Sequence, residues 1–282
     1  MQTAVRPAAV AGMFYPGTPA VLAAAVHAYL AGAGSDDPVL PKALIVPHAG
    51  YVYSGPVAAP AYRCLAAGRS SIKRVVLLGP VHRVPIRGLA LPAAEAFVTP
   101  LGTLAVDADA VARALELPQV RVSEAAHALE HSLEVQLPFL QTVLDEFRIV
   151  PFAVGDASAE EVAQVIDRLW GGPETLIVIS SDLSHYHPYA AAQRIDRGTA
   201  TAILALDSAL DHEQACGATP INGFALCARR HGLKPRLLDL RNSGDTAGDK
   251  SRVVGYAAFA FTDPAHNAER QRAAAVPEPI DA

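Results

Sequence analysis

Three short apolar runs do most to constrain what this chain can fold into: Ala43–Val46, Val75–Leu78 and Thr175–Ile179. Each is dominated by Val, Ile and Leu, is bounded by Pro, Gly or Ser, and is separated from the next by helix-patterned sequence. Short apolar runs of this kind read as strands buried on both faces, as in a parallel sheet covered by helices. The alternation predicts an α/β fold: one domain over residues 1–262, with a mixed, mostly parallel central sheet and helices on both faces. The tail Asp263–Ala282, rich in Ala, Pro and charge, is expected to be disordered.

Other elements follow from local signals. Thr18-Pro19 opens a helix over Pro19–Ala33. A loop is expected at Pro47–Gly55 and a helix at Pro56–Ala66. Shorter strands are read at Leu89–Leu91, Ala96–Val98 and Thr103–Val106, and helices at Asp107–Leu117 and Ser132–Asp145, the latter interrupted by Pro138. Phe147–Val154 reads as a strand, and Ser158 with Glu161 forms a capping box for the helix after it. Helices at Tyr189–Leu206 and Thr219–His231, a helical stretch ending at Cys216, and strands at Arg236–Leu240 and Val253–Phe261 complete the pattern.

The formal net charge of −5 leaves no basic footprint for nucleic acid or an anionic membrane. Cys64, Cys216 and Cys227 are odd in number and lack CxxC spacing, which argues against a disulfide framework and fits a reducing compartment. The first residues carry no apolar leader, and no run is long enough to span a bilayer, so a cytoplasmic location is expected.

Each of the three runs is followed closely by a histidine: His48, His82 and His185. Ligands of open α/β sheets bind beyond the carboxyl ends of the strands, and imidazole is the commonest protein metal ligand. A metal-dependent site is therefore expected. In SSDLSH, Asp182 precedes His185 by three positions and can orient it for proton transfer, or can equally cap the next helix. Cys216 lies just before the helix near Thr219, where a thiolate is stabilised. Cys64 and Cys227 sit in apolar helical patterns and read as core.

His127-x-x-Glu130-His131 matches the H-x-x-E-H pattern of inverted zinc peptidases, in which two histidines four apart chelate zinc and the glutamate is the base. The alternative is a capped helix start, with His131 and Glu134 facing the pocket.

RPAAVAGMFYPG, VPHAGYVYSGPVAAPAY, LLGPVHRVP, EHSLEVQLPFL, IVPFAVGD, SSDLSH, CGATPING and VVGYAAFAF occur in an order that resembles the Memo family, over residues 5–262. Prokaryotic members of that family are also called AmmeMemoRadiSam system protein B. The resemblance implies a fold like that of the LigB-like extradiol dioxygenases, which hold non-haem Fe(II) with two histidines and a carboxylate and use another histidine as acid/base. Carried onto this chain, it implies that His48, His82 and Cys216 bind the metal. His185 would move protons, and Tyr53 and Phe14 would line the cleft; from the residues themselves, Asp182 is expected beside His185 and His131 as a substrate contact. Cysteine in place of the dioxygenase carboxylate is a departure that argues against simple transfer of ring cleavage.

A thiolate with two imidazoles favours Fe(II), zinc or copper over magnesium or calcium, and the resemblance implies iron. Three functions are consistent with these residues: a metal-dependent redox or dioxygenase-like enzyme, a peptide- or phosphotyrosine-binding protein using the same cleft, and a zinc hydrolase. The family also implies association with AMMECR-type and radical SAM proteins.

Overall fold

The apolar runs pair side by side in the computed structural model, which describes residues 4–34, 39–246 and 248–264. Residues 265–282 of the expected tail lie outside the described residues. The chain begins with β1 (Val5–Arg6), α1 (Pro19–Ala31), β2 (Ala43–Val46), α2 (Tyr51–Arg63) and β3 (Arg74–Pro80). Next come β4 (Leu89–Leu91), β5 (Ala96–Thr99), β6 (Gly102–Ala105), α3 (Ala108–Leu115), β7 (Val120–Val122), α4 (Glu124–Ala128) and α5 (Leu137–Val143). It continues with β8 (Arg148–Val154), α6 (Ala159–Arg168), β9 (Thr175–Ser180), β10 (His185–His187) and α7 (Tyr189–Leu204). The last elements used below are α8 (Ala218–Arg230), β11 (Lys234–Asn242) and β12 (Val253–Thr262).

The centre of the main sheet is parallel, in the order β2-β9-β3-β8. β12 joins antiparallel on the β2 side and carries both β11 and β10; β4 joins antiparallel on the β8 side and carries β7. The result is a nine-stranded mixed sheet, beside a small sheet of β1, β5 and β6. Residues alternate between two apolar layers. Leu44, Val46, Leu77 and Val178 pack with Leu22, Val57 and Phe139 of α1, α2 and α5. Ala43, Ile45, Val76 and Ile177 pack with Val162, Ile166 and Phe224 of α6 and α8. Both faces are covered, which is why the runs Ala43–Val46, Val75–Leu78 and Leu176–Ile179 are apolar at every position. Each Val, Leu, Ile or Phe among these side chains contributes about 1.5–3 kcal/mol of burial.

Three local expectations are corrected. The helix expected from Pro56 starts at Tyr51 and keeps Pro56 and Pro60 inside it. Its start is fixed upstream, where Tyr51 donates its backbone N–H to the Phe14 carbonyl and Ser54 donates to that of Gly50. Tyr53 is therefore a first-turn helix residue, not a loop residue. The single helix expected over Ser132–Asp145 is a 3₁₀ turn at Glu134–Gln136 followed by α5, with Pro138 tolerated in the first turn. The stretch leading to Cys216 is made of turns. The Ser158–Glu161 capping box forms as expected.

Candidate metal centre

Because β2, β9 and β3 are parallel neighbours, their carboxyl ends share one edge of the sheet, and the segments leaving them converge there. His48 leaves β2 and His82 leaves β3, and their ring centroids lie 5.2 Å apart. The third imidazole closing on them is His131, from the turn after α4, at 5.4 Å from His48 and 4.6 Å from His82. One ligand atom from each of the three falls within 4.8 Å of the others, a spacing that could hold a metal ion. His185 stands farther out, on β10, and lines the cleft that opens from this point. The sequence thus points to the right edge, while the third member of the cluster comes from an irregular turn.

Cys216 completes the inner wall, with its Sγ 3.3 Å from His48 Nε2. The thiol also accepts the Asp182 backbone N–H at 3.3 Å. Gly217 permits this approach: a Cβ there would stand 2.6 Å from Ser181 Cβ and 2.9 Å from the Ser180 carbonyl. Gly79 does the same for the turn carrying His131, since a Cβ there would stand 2.8 Å from Ser132 Oγ.

A single carboxylate serves two of the histidines, one through its ring and one through its backbone. Glu130, almost fully buried, accepts His82 Nδ1 at 2.9 Å and the His82 backbone N–H at 2.6 Å. The same Oε1 lies 3.3 Å from His131 Nδ1 and accepts the backbone N–H groups of His131 and Ser132. His48 Nδ1 bonds Ser180 Oγ at 2.8 Å. His48 and His82 are thus held by Nδ1, the arrangement by which proteins orient histidines that ligate metals through the other nitrogen, while His131 lies against the carboxylate that holds His82.

Burial pushes the Glu130 carboxyl up, but the His82 side chain, its charge and the backbone donors outweigh it and hold the group at about 2. Burial, then the neighbouring histidines, keeps His48 well below its ordinary value, so the ring is neutral at pH 7. His131 is lowered to about 4, chiefly by burial. Neutral imidazole is the form that ligates. Burial and then the Asp182 charge push the Cys216 thiol up to about 12, so without a cation it is no thiolate nucleophile.

Several expected roles change. Asp182 turns its carboxylate to the His48 backbone N–H at 2.7 Å instead of orienting His185, whose hydrogen bond runs to the Leu183 backbone. Burial raises the Asp182 carboxyl to about 7. The H-x-x-E-H segment does not form a zinc site of its own. α4 ends before Glu130; His127 points away to the Ala90 carbonyl at 2.8 Å, and Glu130 is committed to His82. Glu134 faces away from the pocket: its buried carboxylate takes Arg6 at 2.6 Å, Tyr15 at 2.5 Å and the backbone N–H groups of Ala9 and Val10. It thereby ties the first residues to the site and places Phe14, whose ring lies 4.7 Å from that of His131. Tyr53 is exposed on the first turn of α2, and Cys64 and Cys227 are buried. The cleft measures about 670 Å³ and has His82, His185 and Cys216 in its walls.

A profile of the Memo-like protein family matches residues 6–260. The chain belongs to the Memo-like family. A MEMO1 family protein of Aquifex aeolicus is 37% identical over 270 residues, covering 91% of this chain and 99% of its own. One of Aeropyrum pernix is 38% identical over 285 residues, covering 90% and 98%. Among solved structures, an uncharacterized protein of Escherichia coli K12 superposes with a TM-score of 0.50 at 15% identity, covering 77% of this chain and 98% of its own, a likeness of fold. Among the described residues, no helix of this Memo-like chain is long and apolar enough to cross a membrane.

Proposed function

We propose that this Memo-like protein is a metal-dependent redox enzyme that uses non-haem iron held by His48, His82 and Cys216, with His131 beside them as a further donor. The observation that carries this reading is the clustering of three imidazoles, two of them anchored through Nδ1, with a thiol 3.3 Å from one of them. Neutral imidazoles with one thiol make a donor set for a borderline divalent ion, and a thiolate would leave net charge +1 with such an ion. The choice of iron over zinc or copper rests on analogy with the extradiol dioxygenases. Iron bound there would supply one-electron chemistry.

The chain's own residues do the rest. Glu130 holds the His82 ring and the backbone of His82, His131 and Ser132 around it. Cys216 gives up its proton when a cation is bound, because the cation replaces the missing compensation for a buried thiolate. His185, on the cleft wall, can exchange a proton with a substrate there, and burial keeps it neutral and able to accept one. Phe14, whose ring lies against that of His131, would suit a substrate with an apolar or aromatic body, and Tyr53 is assigned to substrate on the family resemblance alone.

The test is elemental analysis of protein purified without oxygen, beside His82→Ala and Cys216→Ser. Stoichiometric iron that both variants lose, with a reversible one-electron change in the parent, is the expected result. Metal content unaffected by either substitution rejects the site, and stoichiometric zinc with no redox activity favours hydrolysis.

A further inference from the structure

The hydrogen bonds behind His48 can each be read in only one direction. The Pro47 carbonyl lies 2.9 Å from the Gln136 side-chain amide and can only accept, so the NH₂ of Gln136 faces it. Gln136 Oε1 then accepts from the Tyr62 hydroxyl at 2.7 Å. The second N–H of that amide points to Ser180 Oγ at 2.8 Å. Ser180 gives its own hydrogen to the Ser132 carbonyl, another pure acceptor, at 2.6 Å. Only lone-pair capacity remains on Ser180 Oγ for His48 Nδ1, 2.8 Å away. The ring must therefore donate from Nδ1, which leaves the Nε2 lone pair facing Cys216. Tyr62, Gln136, Ser180 and His48 are each at most 1% exposed, so bulk water has no access to the chain.

We propose that Gln136 and Ser180 are positioning residues that lock His48 in the Nδ1–H tautomer, and so present its Nε2 as a ligand. The purpose of the lock rests on the metal-site reading, but the lock itself belongs to the metal-free protein. An imidazole free to change tautomer would spend part of its time with a hydrogen, not a lone pair, aimed at the metal position.

The tautomer is read directly from the imidazole nitrogen shifts of metal-free, full-length protein labelled with ¹⁵N-histidine at neutral pH, with His48→Asn identifying the signal. The parent is expected to show a protonated Nδ1 and a bare Nε2. Ser180→Ala should abolish that pattern and weaken Zn(II) binding about tenfold to a hundredfold. Ser180→Thr, which keeps the hydroxyl, should restore both. The parent spectrum and the threonine variant decide the matter even if the alanine variant does not fold. A protonated Nε2 in the parent overturns the proposal, as does a Ser180→Ala protein with the parent's tautomer and Zn(II) affinity. If the tautomer shifts as expected but no metal binds, the positioning role stands and the metal reading fails.

Discussion

Replacing Glu130 with glutamine keeps shape and volume while removing the charge, and the geometry fixes the consequence. Oε1 receives three N–H groups, from the His82 ring and from the His131 and Ser132 backbones, while Oε2 receives the His82 backbone N–H at 2.6 Å. A glutamine has only one accepting atom. If its oxygen takes the Oε1 position, its NH₂ meets the His82 N–H donor to donor; the flipped amide meets three donors instead. At least one hydrogen bond to a charged acceptor is lost, at about 1.5–3 kcal/mol. The His82 ring also loses the carboxylate that orients it, a change that typically weakens metal binding about tenfold to a hundredfold, or about 1.4–2.7 kcal/mol. Chelator competition on anaerobically loaded protein measures the second quantity, and denaturant unfolding of the metal-free form measures the first. A Glu130→Gln protein with the parent's affinity and stability would refute the carboxylate's role.

Three more perturbations follow from the same geometry. Gly217→Ala drives a Cβ into Ser181 and the Ser180 carbonyl and should cost about 1–3 kcal/mol in thermal unfolding, with weaker metal binding because Cys216 is displaced. Arg6→Met leaves the buried Glu134 carboxylate without its cation and should destabilise by about 3–5 kcal/mol in denaturant titration. Burial lowers His127 from 6.5 to about 4, so the unfolded chain takes up a proton between those values before the native one does. The stability it contributes is intact above pH 6.5 and lost as pH falls to about 4, by about 3 kcal/mol, and His127→Gln should flatten that limb of an unfolding pH series.

The positions of His48, His82 and Cys216 were legible because they depend on element ends: two strand exits and a helix start. Continuous apolar runs revealed the parallel centre for the same reason, since burial on both faces leaves a compositional mark. The contribution of His131 was not legible as a cluster member. It depends on where α4 stops and how a non-repeating turn runs against Gly79, and no periodicity reports on that. The same turn decides the H-x-x-E-H segment in favour of the capped helix start, because five residues imply a helix face only if the helix continues through Glu130. Asp182 was misassigned for a related reason. Sequence proximity to His185 favoured that pair, but the parallel β2–β9 register brings the His48 backbone closer to its carboxylate. One retrospective signal was available: Glu130, Ser132, Glu134 and Gln136 are polar residues at alternate positions, with His131, Leu133 and Val135 between them. Each proves to be buried and bonded to a different part of the site or its supports.

X-ray absorption at the zinc edge of stoichiometrically loaded protein puts the central claim to its most direct test. A centre built from these side chains gives nitrogen scatterers at about 2.0–2.1 Å and one sulfur at about 2.3 Å, and Cys216→Ser removes the sulfur alone. A spectrum without sulfur in the parent, or with sulfur surviving in the variant, would contradict it.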